Sequence, residues 1–159
     1  LIATPDVSVT PISITIQTDL ASIPLDPVYF DGLIVLTQYY TLLDQGAYEE
    51  AVSLYSISKQ NINGVEADIA YFQFSLESIE IRFIYPFDYW LAQQGQDPSP
   101  IRQDEMRYVV GTTVVYKGAA WNDGETPIPY KRTSFISLIL ENGKWKINEI
   151  NSSPWFSKQ

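Results

Sequence analysis

The sequence has no cysteine and no histidine. Those two absences exclude thiolate nucleophiles, imidazole bases and the zinc or copper centres built from these ligands. Any proton transfer falls to carboxylate, tyrosine or lysine side chains. A cysteine-free domain is equally stable in reducing and oxidising compartments, so the redox environment stays open. Positive charge is also scarce: 10 Lys and Arg stand against 19 Asp and Glu, for a formal net charge of −9. No basic residue precedes Lys59, and the first 58 residues hold seven carboxylates and a net charge of −7, which leaves −2 for the rest. Such a chain lacks the clustered cations that displace counterions from nucleic acid, and its charge disfavours anionic membranes. No apolar run reaches the ~20 residues that a membrane-spanning helix requires.

What the chain does have is apolar and aromatic bulk: 45% of its 159 residues are hydrophobic and 14% aromatic, enough for one good core and a single domain. Residues 1–27 differ from the rest, with eleven Ser, Thr or Pro, three Asp and no aromatic. This is the composition of a tether or arm. Ile12, Ile14 and Ile16 alternate with Ser13 and Thr15 inside it, so part of the arm is expected to be able to dock as an edge strand. A chain that opens on Leu1 is expected to be a processed or truncated form.

From residue 28 onward the spacing of apolar residues predicts the elements. Leu33, Leu36, Tyr40 and Leu43 recur at helical spacing and Gly46 supplies a stop. A second helix follows with Tyr48, Ala51, Val52 and Tyr55 on one face and Glu49 and Glu50 in the first turn, where the helix dipole favours negative charge. Residues 58–64 read as a loop, and a third helix is expected from about Glu66 to Leu76. The period then becomes two, with Ile79, Ile81, Phe83, Tyr85 and Phe87 sharing a face. After a loop over 93–104, the run up to Lys117 alternates Tyr108, Val110, Thr112, Val114 and Tyr116. A loop NDGETPIP leads to a strand over Tyr130–Glu141, and Asn142-Gly143 is a strong two-residue hairpin signal that returns the chain through Lys144–Asn151. Three helices followed by an antiparallel meander make an α+β domain, with helices on one face of a curved sheet.

Two stretches resemble a known family. LTQYYTLLDQGAYEEAVSLYS, with a glycine between amphipathic helices and a Glu-rich second start, resembles the opening of the NTF2-like superfamily, also called the SnoaL-like or ketosteroid-isomerase-like cone. SFISLILENGKWKINEI is similar to its closing hairpin. The resemblance covers about Val28 to Trp155 and rests on pattern and order, with no catalytic signature. It implies helices enclosing a pocket against the concave side of the sheet, in a superfamily that hosts enzymes, transport factors and binding domains. The family's usual dehydratase branch relies on histidine, which this chain lacks. A Ser/Thr/Pro-rich leader before such a domain also looks like the mature segment of a bacterial envelope lipoprotein, which implies an extracytoplasmic, membrane-tethered location.

Within that implied pocket, strand parity nominates Tyr85, Tyr108, Tyr116, Trp145 and Glu149, and Tyr39, Tyr40 and Tyr71 approach from the helices. An inward tyrosine is also plain core filling with its hydroxyl at the rim. The leading expectation is a non-enzymatic accessory or small-ligand-binding domain without cofactor or metal, its ligand uncharged or cationic given the acidic balance. The alternative is an isomerase or cyclase with Glu149 as base beside a pocket tyrosine. Against it, Glu149 sits near a strand end, where a bulge would turn it to solvent. Asp44 at a helix junction suits local hydrogen bonds, Asn122, Asp123 and Glu125 lack calcium-loop spacing, and Asn151-Ser152-Ser153 is a bare glycosylation sequon. A third reading is protein interaction. If Phe135 and Ile139 point inward, then Val109, Thr113, Val115, Ile136, Leu138 and Leu140 form an apolar outer stripe suited to a homodimer.

Overall fold

A computed structural model of the chain describes residues 15–17, 22–24, 26–97, 103–118 and 129–155. Two short strands open it, β1 (Thr15–Gln17) and β2 (Ser22–Pro24), paired antiparallel with each other rather than added to the main sheet. Asp26 then caps a single 3-10 turn over Pro27–Tyr29, its carboxylate accepting from the Val28 amide at 3.0 Å. The turn feeds α1 (Phe30–Asp44), whose buried face carries Leu33, Leu36, Tyr40 and Leu43 at the spacing that the sequence shows. Gly46, at φ 78°, takes the left-handed conformation that ends this helix, and α2 (Tyr48–Val52) follows.

The next segment departs from expectation. Residues 58–64 are not a loop: α3 spans Ile57–Asn63 and α4 spans Val65–Ser75. α3 has no apolar stripe, so its signal lies in its ends. Ser56 caps it by accepting from the Lys59 amide at 3.0 Å, and Gly64 at φ 72° closes it. Among the described residues four α-helices therefore precede the sheet instead of three, and Tyr55 belongs to none of them. It sits in a short parallel bridge to Ile147, where the Ser56 amide donates to the Ile147 carbonyl at 2.7 Å and the Ile147 amide to the Leu54 carbonyl at 2.8 Å. That bridge ties the start of α3 to the sheet.

The sheet is an antiparallel meander of β3 (Leu76–Pro86), β4 (Glu105–Tyr116), β5 (Tyr130–Glu141) and β6 (Lys144–Asn151), in that spatial order. Asn142 (φ 50°) and Gly143 (φ 78°) both take positive φ, as a tight hairpin turn requires. The first face of the sheet meets the helices: Tyr108, Val110, Val114, Ile136, Leu138 and Ile147 are buried with Leu36, Leu43 and Val52 in one core. Fully burying an aliphatic side chain of this size stabilises by about 1.5–3 kcal/mol. Tyr108 reaches α1, where its hydroxyl donates to the Tyr29 carbonyl at 2.9 Å and rests against Gly32, leaving no room there for a Cβ.

The second face corrects two expectations. Phe87 does not extend β3, because the chain turns at Pro86 into α5 (Phe87–Gln93). This helix lies across the sheet, with Phe87 and Leu91 buried against Val109 and Phe135 and with Trp90 and Trp155 packed around them. The β4–β5 register pairs Val109 with Phe135 and Tyr108 with Ile136, so Ile136 shares the helix-facing side with Tyr108 and Phe135 points the other way. The apolar stripe expected for a homodimer does not exist as drawn. Ile136 and Leu138 are core, Leu140 is exposed, and Val109 is covered by α5.

Candidate functional site

Between the helices and the first face of the sheet lies a cavity of about 330 Å³. Tyr39, Tyr40 and Leu43 come from α1, because positions 36, 39, 40 and 43 all fall on its buried side. Leu76 and Ile79 of β3, Thr112, Val114 and Tyr116 of β4, and Arg132 and Ser134 of β5 form the opposite wall. Tyr55, Lys59, Asp68, Tyr71 and Phe72 close the side made by α3, α4 and the bridge before them. Tyr71 is 52% exposed and Arg132 is exposed as well, so the cavity opens beside them.

Several of its polar groups are hydrogen-bonded to one another. The Tyr39 and Tyr55 hydroxyls lie 3.1 Å apart, and Tyr55 donates onward to Asp68 Oδ2 at 2.9 Å. The Tyr39 ring meets Tyr40 edge-on, with centroids 5.0 Å apart. Burial holds the Tyr39, Tyr40 and Tyr55 hydroxyls above the ordinary phenol pKa, so they stay protonated donors at neutral pH. Arg132 Nη1 donates to the Tyr116 hydroxyl at 2.6 Å. Lys59 is the exception. It is only 8% exposed, its ammonium lies 4.5 Å from the centre of the Tyr55 ring, and among the described residues no carboxylate lies within ion-pair distance of it. Burial lowers its pKa, with Asp68 and then Glu149 pulling it back up from farther away. The lining thus carries two cations, Lys59 and Arg132, against one carboxylate, Asp68. Its local charge is opposite in sign to that of the chain.

Of the residues nominated from sequence, Tyr39, Tyr40, Tyr71 and Tyr116 line the cavity. The other nominees, Tyr85, Tyr108, Trp145 and Glu149, lie outside it. Tyr108 is core, pinned to Tyr29. Tyr85 stacks on Phe83, with ring centroids 4.8 Å apart, and Trp145 packs on the edge of the main core. Glu149 is exposed because β6 has an irregularity: Leu138 pairs with Ile147, yet Ser137 pairs with Glu149, so one extra residue, Asn148, intervenes and reverses the parity. Its carboxylate accepts from Trp155 Nε1 at 3.0 Å on the second face of the sheet. A base there has no cavity tyrosine beside it, which removes the isomerase geometry. Asp44 serves the backbone, accepting from the Ile79 amide at 2.9 Å. Asn122, Asp123 and Glu125 lie outside the described residues, among which no cluster of three or more Asp or Glu is placed to hold a metal ion.

Lys59, Asp68, Arg132 and Ser134 were not foreseen. Lys59 sat in what read as a loop, and its one sequence signal is the Ser56 cap that makes the segment helical. Arg132 and Ser134 share the parity of Ile136 and follow once the facing of β5 is known.

No protein-family model matches the sequence, and no curated protein matches it. Solved structures do match. The intermembrane space region of the chloroplast protein ARC6 shares 9% identity, with a TM-score of 0.51 over 81% of this chain and 98% of that one. A Streptomyces avermitilis protein described as a dehydratase from the NTF2-like family shares 10% identity, with a TM-score of 0.48 over 80% and 95%. A SEC-C motif containing protein from Rhodopseudomonas palustris shares 8%, with a TM-score of 0.46 over 76% and 77%. At such identities a likeness speaks for fold alone, and of these three the ARC6 region has a TM-score above 0.5. What this chain shares with that region is an α+β architecture.

Proposed function

We propose that the chain is an NTF2-like small-ligand-binding domain and that the tyrosine-lined cavity is its binding site. The NTF2-like reading rests on the helical opening, where α1 and α2 flank Gly46, and on the closing Asn142-Gly143 hairpin. The observation that supports binding is the cavity itself. About 330 Å³ of space, walled by aromatic and aliphatic side chains and furnished with a few converging hydroxyls and charges, has the size and make-up of a small-molecule site. Binding is favoured over catalysis because Asp68 is tied to Tyr55 and the nearby phenols hold their protons. The ligand is a small aromatic or alicyclic compound with hydrogen-bond acceptors. An extracytoplasmic, tethered location remains part of this proposal on the composition of residues 1–27, and a lipidation signal in the genomic sequence upstream of Leu1 tests it.

The test is a thermal-shift and tyrosine-fluorescence screen of small aromatic compounds against the wild type and Ile79→Trp. Ile79 lines the cavity from β3 and packs half-buried against the edge of the main core, so the larger ring is aimed at the cavity and the variant is first shown to melt cooperatively. Hits that bind the wild type and lose about tenfold or more in affinity on the folded variant support the proposal. Hits indifferent to the substitution sink it.

A further inference from the structure

We propose that the ligand carries a carboxylate, or an equivalent organic acid group, and that Lys59 receives it. This inference rests on the cavity being a binding site and specifies the chemistry of its occupant. The anomaly that motivates it is Lys59. Its stem is packed into the cavity wall while its ammonium keeps accessible surface in the cavity, so it presents a cation there with no carboxylate within ion-pair distance among the described residues. Here α3 holds the side chain inside the cavity wall with the ring face of Tyr55 as its neighbour, a weak substitute for a carboxylate.

The candidate internal partner is already engaged. Asp68 on α4 accepts the Tyr55 hydroxyl. Glu149 on β6 is exposed and turned to Trp155. The Lys59 amide is fixed to the Ser56 cap, and Ser56 donates to Asn148 Oδ1 at 2.8 Å, so the helix start cannot move away without breaking both bonds. Tyr55 spends its O–H on Asp68 and Tyr39 its own on the Tyr55 oxygen, so the groups left to meet an anion are the cations, Lys59 in the wall and Arg132 at the opening. Two cations against one engaged carboxylate, in a cavity walled largely by aromatic and aliphatic side chains, are complementary to an anion with an apolar body. The chain's own charge does not forbid this. Most of its carboxylates are elsewhere, and acidic surroundings slow the approach of an anion more than they weaken a desolvated charge pair.

The experiment uses matched probes on the full chain: hydrocinnamate, naphthoate and indoleacetate, each beside its primary amide, titrated by calorimetry into the wild type, Lys59→Met and Lys59→Gln. The expected result is that the wild type prefers the acids by about tenfold or more, as a charge-assisted hydrogen bond replaces a neutral one. Both variants lose that preference, and their circular dichroism and cooperative melting show that they fold. Equal or better binding of the amides to the wild type overturns the carboxylate inference and leaves the cavity reading standing. Preference for the acids that survives in Lys59→Gln assigns the anion to another group and overturns it as well. If no member of either series binds at millimolar concentration, the cavity reading fails and the inference with it.

Discussion

Replacing Ser56 by alanine tests how the site is held. The Ser56 hydroxyl accepts from the Lys59 amide at 3.0 Å and donates to Asn148 Oδ1 at 2.8 Å, and the residue is fully buried. The substitution removes a helix cap, worth about 1 kcal/mol, and a hydrogen bond to the bulged segment of β6, worth about another 1 kcal/mol. Neither loss is repaired by water, since the side chain has no exposure. For a domain of this size, about 2 kcal/mol lowers the melting temperature by roughly 4–8 °C. Ser53→Ala is the control, because that hydroxyl is exposed and serves only the Glu50 carbonyl, and a change within about 0.5 kcal/mol is expected. Calorimetric melting of both variants, with amide exchange at Lys59 followed by NMR, reads the effect. A Ser56→Ala melting temperature equal to that of Ser53→Ala, with unchanged protection at Lys59, would refute the claim that this cap anchors the cavity wall.

Three further outcomes follow from the same geometry. Lys59→Met is expected to stabilise the unliganded chain by up to about 1 kcal/mol, since partial burial disfavours the ammonium and no carboxylate lies within ion-pair distance of it among the described residues, and a lower melting temperature would mean that the ammonium has a better environment than the Tyr55 ring provides. Burial raises the pKa of Tyr39, Tyr40, Tyr55 and Tyr108, so above the ordinary phenol value of 10.0 the unfolded chain releases protons that the fold retains. Stability from these groups is complete below that value and is lost as pH climbs toward the folded values. Absorbance titration should accordingly show these four ionising only as the chain unfolds, and smooth ionisation of all eleven tyrosines in the folded state would contradict it. Gly32→Ala places a methyl group where the Tyr108 ring lies, and a loss of about 1–3 kcal/mol in denaturant unfolding is expected. A neutral result would show that Tyr108 can shift freely.

The sequence made the long periodic elements readable and hid those whose signal is not periodic. α1 followed from Leu33, Leu36, Tyr40 and Leu43, and the last hairpin from Asn142-Gly143, because in each a local rule and the tertiary requirement agree. α3 escaped because its polar surface gives no stripe and its evidence is the pair Ser56 and Gly64 at its ends. α5 escaped because Phe87, Trp90 and Leu91 continue an apolar run, and only Pro86 marks the change of period. Glu149 was misplaced by one unpaired residue, Asn148, which no alternation rule can locate in advance. The site was legible as far as its tyrosines on α1, α4 and β4. Its charges were not, because Lys59, Asp68 and Arg132 converge from three separate elements and become neighbours only when the chain is folded.

The most direct test of the cavity as a binding site is a proton–nitrogen correlation spectrum of the labelled chain, recorded while the tightest aromatic compound from the screen is titrated in. The account predicts that the largest shifts fall on amides around Tyr39, Tyr55, Lys59, Thr112 and Ser134, and that they vanish in Ile79→Trp. Shifts centred instead on the second face of the sheet, near Arg107, Phe135 and Trp155, would contradict it.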